Sequence, residues 1–199
     1  MVNVSAIILA AGLSSRMGNE NKLFLNYNDK PIIEWVIENI GHSEAHELIV
    51  VASKLSYERL KVLSSKRVRV VDNVAYKQGM TSSIQAGVLA ISKDSEGYMI
   101  CLGDQPTLKT GVYNQLIHAF SAASHKNKKS IIVPFYKKAK GNPVIFSTHY
   151  NASILSHTTP EGCKEIIENN KNHVIKLPVT SSAILHDIDT KEDYDGLTK

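Results

Sequence analysis

Eight short apolar runs recur along this chain, at residues 5–9, 48–52, 68–71, 98–102, 131–133, 144–146, 174–177 and 184–188. Unbroken apolar runs of this length suit strands buried on both faces, as in a parallel sheet. Most are separated by stretches with helical spacing. Pro31 stands where a helix can start, and Ile32, Ile33, Val36, Ile37 and Ile40 then recur three and four residues apart on one face. Further helices are expected near residues 57–63, 82–91, 112–123 and 163–169. The alternation predicts an α/β fold: a three-layer, Rossmann-like, mostly parallel sheet with helices on both faces. Ligands in such sheets bind beyond the strands' carboxyl ends, so the loops leaving the strands are where chemistry is expected.

The first of these loops carries the most information. The run at residues 4–9 passes directly into Leu9-Ala10-Ala11-Gly12-Leu13-Ser14-Ser15-Arg16-Met17-Gly18-Asn19-Glu20-Asn21-Lys22. Gly12 and Gly18 allow a sharp bend and close approach of the backbone to a ligand, Ser14 and Ser15 add hydroxyl donors, and Arg16 and Lys22 bring two cations. Together these groups suit a polyphosphate. Gly18 is followed by Asn19 rather than by the Lys and Ser or Thr of a Walker loop, and no Gly-x-Gly-x-x-Gly occurs, which counts against an ATPase or a dinucleotide enzyme.

Two acidic turns follow later strands. Gly103-Asp104-Gln105-Pro106 places a carboxylate at the end of the run at residues 98–102. A magnesium ion needs only one or two protein carboxylates when substrate phosphates complete its shell, so Asp104 is a candidate ligand; the alternative is that it caps the next helix. Near the C-terminus, Asp187-Ile188-Asp189-Thr190-Lys191-Glu192-Asp193-Tyr194 drops from an apolar run into a turn that opens a helix, where Asp189 or Thr190 can act as a cap. Residues 73–87 include Gly79-Met80-Thr81-Ser82-Ser83, whose serines either offer donors to a nucleotide at a helix start or cap that helix.

The first loop resembles the nucleotide-binding signature of the MobA-like nucleotidyltransferases, Leu-Ala-(Ala/Gly)-Gly, then Ser-x-Arg-Met-Gly, then Lys. Gly103-Asp104-Gln105-Pro106 is similar to the motif of that family's molybdenum cofactor cytidylyltransferase branch, and residues 187–194 resemble its Asp-Ile-Asp-Thr-Pro-Glu-Asp-Tyr with Lys191 replacing Pro. Gly141-Asn142-Pro143 resembles its acceptor-side Gly-x-Pro motif. The resemblance implies a fold of the nucleotide-diphospho-sugar transferase type, one domain over residues 1–199, with 1–134 mainly binding nucleotide and 135–199 mainly the acceptor. It further implies nucleotide contacts from Leu9, Ala10, Ala11, Gly12, Ser14, Ser15, Arg16, Lys22, Ser82, Ser83, Gly103 and Asp104, and Mg2+ ligation by Asp104 and Asp189. Acceptor contacts are implied for Gln105, Gly141, Asn142, Pro143, Gly162 and Lys164. The family's Asp-x-Gly-Ala-Arg segment is reduced here to Glu161-Gly162-Cys163-Lys164, and Arg and Lys grip a phosphate or a planar group differently.

The expected reaction is transfer of CMP from CTP to the phosphate of a molybdopterin-type cofactor, releasing pyrophosphate, with Arg16, Lys22 and Asp104 catalytic. A molybdoenzyme would receive the product. CTP is favoured over GTP or ATP because Ala11 stands where guanylyltransferases carry Gly. The alternatives are GTP, a different acceptor such as a sugar phosphate, and a non-catalytic cofactor chaperone.

Composition excludes other classes. The chain has 199 residues, 43% of them hydrophobic, enough for one sizeable core, without repeats or an interdomain linker. A net charge of +4 is too small and dispersed to indicate nucleic acid. The lysine runs at 126–129 and 137–140 read as a solvated rim, or for the second, as groups facing an anionic substrate. Cys101 and Cys163 are far apart and fit no disulfide framework or zinc pattern, and no segment approaches 18 uninterrupted apolar residues. The expectation is a soluble, cytoplasmic protein with no membrane partner.

Overall fold

The computed structural model describes residues 2–13 and 21–197; Ser14, Ser15 and Arg16 lie outside the described residues. In chain order the elements are β1 (Val4–Ala10), β2 (Asn26–Tyr27), β3 (Lys30–Pro31), α1 (Ile32–Gly41), β4 (Glu47–Ala52), α2 (Tyr57–Lys61), β5 (Val68–Asp72), α3 (Met80–Ala90) and β6 (Gly97–Leu102). They continue with α4 (Thr110–Ser124), β7 (Ile131–Tyr136), β8 (Ala139–Lys140), β9 (Val144–Ser147), α5 (Asn151–Leu155), α6 (Lys164–Asn169), β10 (Val174–Pro178) and α7 (Lys191–Leu197).

The main sheet runs β10-β7-β9-β6-β1-β4-β5, with β8 added to β7 and β2-β3 forming a separate small hairpin. β1 pairs in parallel with both β4 and β6, as do β4 with β5 and β7 with β10. Only β9, inserted antiparallel between β6 and β7, and the short β8 break the parallel arrangement. The expected mostly parallel sheet is therefore the one observed.

Successive strand residues point to opposite faces, and both faces are apolar because both are covered. Ala6, Ile8, Leu48 and Val50 pack with Ile33, Val36 and Ile40 of α1 and with Leu116 and Phe120 of α4. Ile7, Ile49 and Val51 pack on the other side with Ile84 and Val88 of α3, Ile154 of α5 and Ile166 of α6. Each fully buried aliphatic side chain of this kind contributes about 1.5–3 kcal/mol. α3 lies especially close to the sheet: a Cβ on Gly87 would come within 2.3 Å of Ile7 Cγ2.

One expected strand is absent. Residues 184–188 form the end of a 3-10 turn (Ser182–Leu185) and an extended loop. Their backbone groups are satisfied by other loops rather than by a ladder: the Ile184 carbonyl accepts from Asn142 N–H at 2.9 Å, and Ile188 N–H donates to the Asp104 carbonyl at 3.2 Å. Ile184 and Ile188 are apolar because they anchor this loop in the core, not because they line a sheet.

Candidate active site

The two central strands deliver their loops to one place. Beyond β1, Ala11 and Gly12 line a cleft of about 340 Å3, and beyond β6, Gly103 and Asp104 line the same cleft. Its size falls within the range of about 300–1,000 Å3 usual for small-ligand sites. Gly103 donates its N–H to the Leu9 carbonyl at 3.1 Å, which ties the two loops together at their roots. Gly12 has no unusual backbone angle, and a Cβ there would meet nothing within 4 Å. Its contribution is open space at the cleft wall rather than the sharp bend expected of it.

Lys22 enters from a 3-10 turn (Lys22–Phe24) whose first N–H groups are capped by Asn21 and whose Leu23 is buried as an anchor. This fixes the base of a long side chain. The Lys22 ammonium lies 2.6 Å from Asp104 Oδ2 and 2.8 Å from Asp189 Oδ1. Asp187 completes an acidic group: one oxygen from each of Asp104, Asp187 and Asp189 lies within 4.8 Å of the others. The extended backbone explains why two aspartates two positions apart face the same way while Ile188 between them is buried. Thr190, not Asp189, is the N-cap of the following helix, and Asp193, three residues on, reaches back to it in a capping box. The Asp193 carboxylate accepts from Asp189 N–H, Thr190 N–H and the Thr190 hydroxyl, while Thr190 Oγ1 accepts from Asp193 N–H.

Asp104 is 9% exposed, and its Oδ1 has no hydrogen-bond partner among the described residues. Burial pushes its carboxyl group above the usual range; Lys22 pulls it back, and neighbouring Asp187 adds to the rise. For Lys22, burial disfavours the charged form, but Asp104 and Asp189 together outweigh it and hold the ammonium charged. A half-buried cluster of carboxylate oxygens with an unsatisfied oxygen suits a hard divalent cation.

The remaining expected residues divide into three groups. Leu9 and Ser83 also line the cleft, with Ser83 Oγ accepting from Asn73 Nδ2 at 3.0 Å. Ala10 is buried in the core beneath the cleft, and Ser82 donates to the Ala75 and Gly79 carbonyls, which fastens the turn before α3. Gln105, Gly141 and Asn142 converge on the Ile184 carbonyl: Gln105 Nε2 donates to it at 3.3 Å, and a Cβ on Gly141 would meet it at 2.5 Å. With buried Pro143 they brace the loop that carries Asp187 and Asp189. Gly162 donates its N–H to Thr81 Oγ1 at 3.0 Å, which seats it against α3, and Lys164 opens α6 exposed to solvent.

Leu13, Tyr76, Lys77 and Met80, to which sequence reasoning gives no role of their own, also line the cleft. The signal available was their position: Tyr76, Lys77 and Met80 immediately precede the serines that were noted. Among the described residues, no helix is long and apolar enough to cross a membrane.

A sheet covered on both faces, with lysine and aspartates gathered at the carboxyl ends of its central strands, has the build of an α/β nucleotidyltransferase. The chain belongs to the MobA-like NTP transferase domain family, whose model matches residues 6–174. It is 23% identical over 194 residues to the molybdenum cofactor cytidylyltransferase of Escherichia coli K12, covering 98% of this chain and 95% of that protein. It is likewise 23% identical to the nicotine blue oxidoreductase of Paenarthrobacter nicotinovorans, covering 95% and 93%. A probable molybdenum cofactor guanylyltransferase of Natranaerobius thermophilus is 35% identical over 66% of this chain and 60% of that protein. Among solved structures, Rv0371c of Mycobacterium tuberculosis H37Rv superposes with a TM-score of 0.83 at 22% identity, covering 99% of this chain and 97% of that one, and its complex with manganese with 0.80 at 21%, covering 99% and 98%.

Proposed function

We propose that this nucleotidyltransferase transfers CMP from CTP to the phosphate of a molybdenum cofactor of the molybdopterin type and releases pyrophosphate. The observation that carries the reading is the Lys22, Asp104 and Asp189 cluster on the cleft wall at the strand ends. An acceptor phosphate oxygen attacks the α-phosphorus of CTP; the bond from that phosphorus to the bridging oxygen breaks, and pyrophosphate leaves with the electron pair. The attacking phosphate is already an anion at neutral pH, so no protein base is needed.

Asp104 and Asp189, with Asp187 beside them, would hold Mg2+. When bound, the ion neutralises charge on the α-phosphate as a Lewis acid. Lys22 neutralises the β- and γ-phosphates and the departing pyrophosphate, a role shared with Arg16 on the strength of the motif alone. Ala11, Gly12 and Gly103 shape the wall along the triphosphate, Ser83 offers a hydroxyl, and the partly exposed Leu13 and Met80 offer apolar surface to the base. Catalysis on this reading is positioning and electrostatic stabilisation. Residues 1–134 chiefly hold nucleotide and residues 135–199 chiefly the acceptor, with Gln105, Gly141, Asn142 and Pro143 supporting the loop between them. Exposed Lys164 offers the outer acceptor contact, with Gly162 seating that segment against α3.

Cytosine is favoured by Ala11, whose methyl group narrows the wall where a Gly would leave room for a purine. The test is transfer from α-labelled CTP, GTP and ATP, offered separately with Mg2+ and purified molybdenum cofactor, following both labelled product and pyrophosphate. Product from CTP alone supports the full reading. Product from GTP keeps the chemistry and overturns the base assignment; pyrophosphate release only with a sugar phosphate overturns the acceptor. Cofactor binding without pyrophosphate release from any nucleotide points to a chaperone.

A further inference from the structure

The Lys22 ammonium occupies an unusual position for a phosphate-binding group. It bridges two carboxylates, Asp104 and Asp189, that come from distant parts of the chain, at 2.6 and 2.8 Å. Those two carboxylates belong to the acidic cluster, and Asp104 Oδ1 beside the bridge has no hydrogen-bond partner among the described residues. An ammonium so placed neutralises the mutual repulsion of the aspartates, which is the electrostatic service a divalent cation would perform there. Two cations at such short range repel strongly in a half-buried site, so they compete.

We propose that Lys22 is an internal counter-cation for the metal site: it holds the Asp104 and Asp189 carboxylates until a nucleoside triphosphate draws its ammonium away, so that divalent metal enters the site together with nucleotide. This rests on the proposed metal role of Asp104 and Asp189. The lysine is suited to the exchange. Its flexible stem carries a compact charge that can turn toward phosphate without moving the capped turn at its base. Metal and lysine thereby exchange places, and the carboxylates are never left without a cation.

The experiment measures binding of Mn2+ to the nucleotide-free protein, read as loss of the free Mn2+ electron paramagnetic resonance signal. The wild type is compared with Lys22→Met and with Lys77→Met, which removes the same charge from elsewhere on the cleft wall. Lys22→Gln repeats the comparison should the methionine variant fail to fold. The proposal expects at least tenfold tighter Mn2+ binding in the Lys22 variant than in wild type, and a threefold change or less in Lys77→Met. Addition of α,β-methylene CTP should tighten Mn2+ binding at least tenfold in wild type and by clearly less in the Lys22 variant. Equal Mn2+ affinity in wild type and the Lys22 variants, or equal tightening in both lysine variants, overturns the counter-cation role while leaving the metal site standing. No protein-bound Mn2+ in any variant, with or without the analogue, overturns the metal assignment itself.

Discussion

Gly103 hydrogen-bonds to the Leu9 carbonyl at 3.1 Å, and a Cβ on Gly103 would meet that same carbonyl oxygen at 2.7 Å. The loop bearing Asp104 therefore sits against the end of β1 at a distance only glycine tolerates. Backbone cannot give way as a flexible side chain can, and Ile33 Cδ1 closes the other side at 3.2 Å. Gly103→Ala should destabilise the fold by about 1–3 kcal/mol. It should also lower nucleotidyl transfer at least tenfold by displacing Asp104. Denaturant unfolding beside a transfer assay checks both, and unchanged activity would show that Asp104 need not be held there.

Asp104→Asn keeps the shape of the buried side chain and removes the charge that faces Lys22. Turnover should fall by about 10²–10⁴, the range seen when one electrostatic catalytic group is lost, with the circular dichroism spectrum unchanged. Lys22→Ala should cut turnover comparably and cost stability as well, because it leaves Asp104 and Asp189 facing each other with less compensation. Steady-state kinetics with each variant decides the matter; near-normal turnover in either removes that residue from the mechanism.

The strands whose loops bring Ala11 and Asp104 to the cleft are legible because apolar periodicity and strand-end loops are local signals. Residues 184–188 are not. Ile184, Ile188 and their neighbours have strand-like composition, yet what fixes them is contact with Asn142, Gln105 and Asp104, distant in sequence. The same long-range contacts decide what Gln105, Gly141 and Asn142 do: the motif exposes their presence, and only the fold reveals that they meet at one carbonyl. Ser82 and Ser83 are indistinguishable in sequence because adjacent helical residues differ in direction only once the helix is docked.

Glu47 gives the fold a defined acid sensitivity. Burial alone would raise its pKa, but hydrogen bonds from Ser92 N–H at 2.5 Å and Ser5 Oγ at 2.8 Å, with Arg69 at 2.9 Å, outweigh this and hold it below the usual carboxylate value. A carboxylate with a depressed folded-state pKa stabilises the fold above its unfolded pKa, about 4.3 for Glu, and that contribution is lost as pH falls through the folded value. Glu47→Gln should therefore unfold at lower denaturant concentration than wild type at pH 7. The gap should narrow steadily below about pH 4. Unfolding midpoints at pH 7, 5 and 3 test this, and a gap that stays constant with pH would assign the effect to packing.

Ser82 and Ser83 stand side by side at the start of α3 with opposite tasks. Ser82 Oγ donates toward the Ala75 and Gly79 carbonyls and accepts from Asn73, all within the turn that precedes the helix. Ser83 also accepts from Asn73 but lines the cleft. Removing the Ser82 hydroxyl leaves two partly buried backbone carbonyls short of a donor, which costs about 0.5–1.5 kcal/mol. Ser82→Ala should thus lower stability while leaving the KM for nucleotide within about twofold of wild type. Ser83→Ala loses a cleft hydroxyl but no turn contact of that kind, so it should raise the KM for nucleotide several-fold at a smaller cost in stability. Thermal unfolding and KM measured on both variants separate the roles, and a reversed pattern would mean that the two side chains exchange duties once nucleotide is bound.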